Sequence, residues 1–192
     1  MDDVLDEPRI KRHRLNVEQY HRMGEAGVFE LEARIELIEG EVIDTAPTGT
    51  RHAATVKRLA RLLFQAVACR AIVSVQDPIR LDALSEPEPD LAVLKPRDDF
   101  YASALPTGHD AYLVIEVAET SLAYDLKLKS RLYATHGVPV YWVVDVEAGR
   151  LHTFTAPQGD TYTVVAATAS PGTLALPGLP DIALDLSGLF GR

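Results

Sequence analysis

One short run constrains the fold of this chain more than any other: Tyr112-Leu113-Val114-Ile115-Glu116-Val117. It is apolar almost throughout and too short for a buried helix, so it reads as a strand covered on both faces. Glu116 stands inside it. A carboxylate withdrawn from water there is costly unless a partner meets it. A buried salt bridge and a metal ion are the two simplest partners. A two-sided central strand also requires helices on the faces of the sheet, which is an α/β or α+β layered domain.

The flanking sequence supplies those layers. Residues 16–26 suit a helix ended by Gly27, and two β-favouring runs within 34–44 flank Glu39-Gly40 as a hairpin. Pro47-Thr48-Gly49-Thr50 forms a turn leading into a helix over 52–68, where Val56, Leu59, Leu63 and Val67 recur at helical spacing. Strands are expected at 71–75, 78–81 and 90–94, and a helix over 123–136 closed by Gly137. Strands at 140–145, 151–154 and 162–165 follow, then a turn-rich tail with an apolar cluster at Leu184, Leu186, Leu189 and Phe190. The exposed C-terminal strands, with Trp142, suit either core or a subunit interface. The 192 residues fit one domain over 16–192, preceded by an N-terminal arm over 1–15 that carries acids first and then Lys11-Arg12-His13-Arg14.

Composition narrows the function classes. At 47% apolar and 24% charged residues, the chain has the balance of a folded globular protein. Its net charge of −9 argues against coating nucleic acid by bulk positive charge. Arg51, Lys57, Arg58, Arg61 and Arg70 nevertheless form one basic region, on or beside the 52–68 helix. The lone cysteine, Cys69, excludes an internal disulfide and a cysteine-rich zinc module, reads as a small buried hydrophobe, and suits the cytoplasm. No run approaches the ~18 apolar residues of a membrane span. A dinucleotide-binding glycine loop, a phosphate-binding lysine loop and a nucleophile elbow are all missing.

The chemistry concentrates on a few residues. Asp90 follows Pro89 at the start of a strand, and with Glu116 it can offer two carboxylates, enough for Mg²⁺, which keeps several waters. Asp125, Lys129 and Tyr133 are spaced by four and share a helix face. Pointed at the carboxylates, Lys129 would stabilise charge on a phosphate; pointed outward, it would form a surface ion pair. Tyr133 is a packed ring or a phosphate contact, and His52 a helix cap or a substrate contact. Glu36, Glu39 and Glu41 compete to complete the acidic cluster.

In order along the chain, the motif-bearing segments are Glu36-Leu37-Ile38-Glu39-Gly40-Glu41, His52, Pro89-Asp90-Leu91-Ala92-Val93, and Leu113-Val114-Ile115-Glu116-Val117. Then come Ser121, Asp125-x-x-x-Lys129-x-x-x-Tyr133, and Gly137-Val138-Pro139-Val140-Tyr141-Trp142-Val143-Val144-Asp145. Together they resemble the Uma family of candidate restriction endonucleases, over about residues 16 to 165. The resemblance implies the PD-(D/E)XK nuclease fold, a central mixed sheet flanked by helices that cleaves DNA with Mg²⁺, or with Mn²⁺ in its place. It implies Asp90 and Glu116 as metal-binding acids, Glu36 as an early acid and Lys129 as the lysine; beside them His52, Asp125 and Tyr133 are the candidate substrate contacts. Two departures stand out. The lysine usually two residues after the second acid is Ala118 here, and Val140 stands where relatives often carry Glu. The expectation is thus a DNA-cleaving homodimer, with a nuclease-fold binding module as the alternative.

Overall fold

The computed structural model describes residues 12–30, 33–45 and 49–190. The acidic start of the arm and the Pro47-Thr48 turn fall outside them. Helix α1 (Val17–Glu25) begins at a capping box, in which Asn16 and Gln19 bond each other's backbone N–H reciprocally. Strands β1 (Ile35–Ile38) and β2 (Glu41–Asp44) form the expected hairpin. Its two turn residues, Glu39 and Gly40, both have positive φ, at 50° and 80°. That is the geometry a two-residue hairpin favours. A side chain at position 40 would also meet Arg14, since an added Cβ lies 2.6 Å from the Arg14 Cβ.

Helix α2 (Thr50–Val67) buries Val56, Leu59, Leu63 and Val67 along one stripe. Strands β3 (Ile72–Val75), β4 (Leu91–Leu94) and β5 (Ala111–Ala118) follow. A helical crossover then leads to β6 (Val140–Asp145), β7 (Arg150–Gln158) and β8 (Thr161–Thr168). These six form one mixed sheet in chain order, with β5 and β6 parallel and every other neighbouring pair antiparallel. The parallel pair needs a long connection, and the crossover supplies it as α3 (Leu122–Tyr124), a π-helical turn (Asp125–Lys129) and α4 (Ser130–Thr135).

Alternation along β5 divides the core. Leu113, Ile115 and Val117 pack toward α2, with Leu176, Leu184, Leu186 and Leu189 from the C-terminal segment. Val114 and Ala118 pack with Tyr133 and Tyr141 under α4. Glu116 shares the phase of Val114 and Ala118, so its side chain belongs to the α4 face.

Three local expectations are corrected and one is refined. Residues 78–81 form no strand, because Ile79 N–H bonds Pro87 and Arg80 N–H bonds Pro106, so no single ladder develops. The tail holds a further hairpin, β9 (Thr173–Leu176) and β10 (Leu179–Asp185), which roofs the α2 side of the core. The helix expected over 123–136 is present over residues 122–135, with a π-helical turn at Asp125–Lys129 in its middle. Cys69 is exposed, because α2 ends at Val67 and Ala68 turns to a φ of 49°. Trp142 is buried core, whereas Val164 and Val165 of β8 are exposed.

Candidate active site

The C-terminal half of β5, the start of α2, the β1–β2 hairpin and the crossover surround a cavity of about 610 Å³. Glu36, His52, Asp90, Glu116, Asp125 and Lys129 all line it. Six residues from five separate segments thus converge, and all but His52 are buried.

Glu116 is the hub. Its Oε1 accepts from Lys129 Nζ at 2.9 Å and from the Tyr133 hydroxyl at 2.9 Å, while its Oε2 lies 3.4 Å from the Asp90 N–H. Lys129 Nζ also donates to Glu36 Oε1 at 3.0 Å, which accepts from Glu88 N–H as well. Asp90 Oδ2 accepts from Val117 N–H at 2.9 Å, and its Oδ1 accepts from Gln76 Nε2 at 3.2 Å. His52 Nε2 stands 2.9 Å from Asp90 Oδ2. A carboxylate only accepts, so His52 Nε2 carries a proton and donates it to Asp90. Asp125 accepts from the Ser121 hydroxyl at 2.5 Å.

The π-helical turn is what aims the crossover. Ser130 N–H reaches back five residues to the Asp125 carbonyl, widening the turn that carries Asp125 and Lys129 inward. Lys127 faces solvent on the same turn. No lysine occupies position 118, and Lys129 reaches Glu116 from the following segment instead.

Crowding sets the electrostatics. Burial pushes the Glu116 carboxyl up to about 8, with Asp125, Asp90 and Glu36 adding to the rise and Lys129 opposing it. Burial also raises Asp125. Burial alone would lower the Lys129 ammonium, but Glu116, Glu36 and Asp125 outweigh it and hold it well above the ordinary lysine value. Asp90 feels burial too, yet the His52 bond and charge and the Val117 N–H bring its carboxyl below the usual range.

Several expectations can now be placed. Tyr133 both packs, 5.0 Å from the Tyr141 ring, and bonds Glu116, so it stands behind the cavity rather than on its wall. His52 faces Asp90 rather than capping its helix. Glu39 pairs with Arg131 at 2.7 Å and Glu41 with Arg12 at 3.6 Å, both on the surface, which leaves Glu36 as the hairpin acid at the cavity. Sequence reasoning missed Gln76 and Tyr124. Gln76 sits at a positive φ of 56° after β3, and nothing in its type or spacing signals a bond to Asp90. Tyr124 lines the cavity beside Lys129, and its one signal was adjacency to Asp125.

The donor set bears on what the cavity can hold. Among the described residues no group of three or more His, Cys, Asp or Glu is arranged to hold a metal ion. The pair Asp90 and Glu116 suffices for Mg²⁺, whose shell takes one or two carboxylates and otherwise water and phosphate. With about four acceptor positions per carboxylate, Asp90 Oδ1 and Glu116 Oε2 each retain capacity after the bonds above. Glu36 Oε2, His52 Nδ1 and the Tyr124 hydroxyl are buried and lack hydrogen-bond partners among the described residues, so the cavity wall is polar. The residues therefore fit a divalent cation.

The fold is a mixed sheet with helices packed on its faces. It matches the crystal structure of a "putative nuclease" of DUF820 from Anabaena variabilis with a TM-score of 0.67, at 16% identity, covering 92% of this chain and 97% of that one. The sequence profile of the Uma2 family, described as "Putative restriction endonuclease", matches residues 17–187. The chain belongs to that family. No curated protein matches it.

Proposed function

We propose that the chain is a metal-dependent DNA endonuclease that hydrolyses phosphodiester bonds in the cavity, with Mg²⁺, or Mn²⁺, held by Asp90 and Glu116. One observation carries the reading: Asp90 and Glu116 line one cavity, Glu116 Oε2 lying 3.4 Å from the Asp90 backbone nitrogen, with a buried Lys129 ammonium 2.9 Å from Glu116 Oε1. Membership of a family described as restriction endonucleases supports DNA as the substrate. A divalent cation there would lower the pKa of a bound water and draw charge from the phosphate.

The chain's own residues do the rest. Lys129, kept charged by its acidic neighbours, adds positive charge where the phosphate gains negative charge. Tyr133 and Lys129 fix Glu116 Oε1 and leave Oε2 turned toward Asp90. His52 and Val117 N–H fix Asp90. His52 Nδ1, which lacks a partner among the described residues, can meet substrate or water. Glu36 and Asp125 hold Lys129 in place by charge. A homodimer would suit cutting both strands of a duplex, and the exposed Val164 and Val165 of β8 support a contact there.

The test is cleavage of plasmid and single-stranded DNA with Mg²⁺ or Mn²⁺, against a chelator control. Asp90→Asn and Glu116→Gln should each lower the rate by about 10²-fold or more. Wild-type protein that neither cleaves nor binds Mn²⁺ would leave a nuclease-fold binding module.

A further inference from the structure

A cavity walled by acids must admit a polyanion, and the chain as a whole is acidic. Its positive charge is not spread evenly. Residues 45–76 contain five of the 19 lysines and arginines and none of the 28 acids. Everything outside that segment is left with 14 basic residues against 28 acidic ones. The segment is α2 with its flanks, and α2 starts at the cavity, where Gly49 and His52 line the wall.

The basic residues of α2 lie opposite its buried stripe. Arg51, Lys57, Arg58 and Arg61 are all exposed. Arg51 and Arg58 donate to main-chain carbonyls, Arg51 to Val146 and Arg58 to Leu189, which orders these side chains without cancelling charge through those bonds. Lys57 and Arg61, one turn apart, enter no ion pair among the described residues. At about 1.5 Å per residue they stand roughly 7.5 and 13.5 Å along the helix from His52. Other parts of the rim carry acids, Glu119 and Glu147. A phosphate backbone leaving the cavity is repelled there and attracted along α2.

We infer that the exposed face of α2, through Lys57 and Arg61, is the track that holds the DNA phosphodiester backbone leading into the cavity. The contact is to phosphates and carries no base readout. The inference rests on the nuclease reading of the cavity, but it can be tested without cleavage.

The experiment titrates wild-type protein and Lys57→Ala/Arg61→Ala into a fluorescent duplex of about 20 base pairs, in chelator, across a salt series. Both side chains are exposed, so the double variant should keep the wild-type circular dichroism. The expected result is about tenfold weaker binding at low salt, with a log-log salt slope smaller by about two. Arg22→Ala/Lys95→Ala removes the same charge elsewhere and should bind like wild type. Equal binding by wild type and the α2 variant overturns the track, as does equal weakening in the control or an absence of wild-type binding. The two readings fail separately. A protein that binds through α2 yet cleaves nothing in Mg²⁺ or Mn²⁺ keeps the track and loses the nuclease. Metal-dependent cleavage with α2-independent binding does the reverse.

Discussion

Glu116 is a liability to stability as well as the centre of the site. Its carboxyl is held up to about 8 by burial and neighbouring acids, against an ordinary value of 4.5. Between those limits the folded chain keeps a proton that the unfolded chain has lost. Stability then falls as pH rises through that window, because the native state binds more protons. Glu116→Gln removes this dependence. Its melting temperature should exceed that of wild type at pH 8 and converge on it near pH 5, each kcal/mol being worth about 2–4 °C. Parallel melting curves for the two proteins would rule the effect out. Lys129 shows the opposite dependence on context. Lys129→Met strands Glu36 without its buried cation and leaves Glu116 without one of its donors, a change that costs about 3–5 kcal/mol. A drop in the urea midpoint at unchanged slope would register it. Both residues were visible in the sequence because an acid in an apolar run, and a lysine in phase with other polar residues, break a pattern. Gln76 and Tyr124 break none, since their positions depend on a loop and on the fit of two elements.

The crossover shows how an element can be recognised and still be misdrawn. A helix after Glu116 was legible from its closing glycine and the spacing of Asp125, Lys129 and Tyr133, but hydrogen bonds that reach five residues back leave no periodic trace over a single turn. Deleting the exposed Lys127 should let the turn relax to α-helical geometry and displace Lys129 from its place against Glu116. Far-UV dichroism should persist while cleavage disappears; retained cleavage would show that the wide turn is dispensable. The β9–β10 hairpin escaped sequence reading because its strands are short and one face is exposed, so its apolar residues looked like a loose cluster. Its leucines are nonetheless core. Leu184→Ala should cost about 2–5 kcal/mol in urea unfolding, as expected for a buried leucine.

For the whole molecule, sheet, helices and their order follow from alternation and helical periodicity, while the convergence of Glu36, Asp90, Glu116 and Lys129 depends on strand order and register, which no local pattern encodes. Assembly lies at the same scale. Strand β8 ends the sheet with Val164 and Val165 exposed. If two copies join there, light scattering should give about twice the 21.0 kDa chain mass for wild type, and Val165→Lys should return it to one. A monomeric wild type would remove the dimer from the account.

The exposed thiol of Cys69 has a practical use. It is the one sulfhydryl in the chain and sits just past the end of α2 remote from the cavity. A maleimide dye would attach there stoichiometrically, with no engineered attachment point. Energy transfer from that dye to a labelled oligonucleotide end would then report which way a strand lies along the helix.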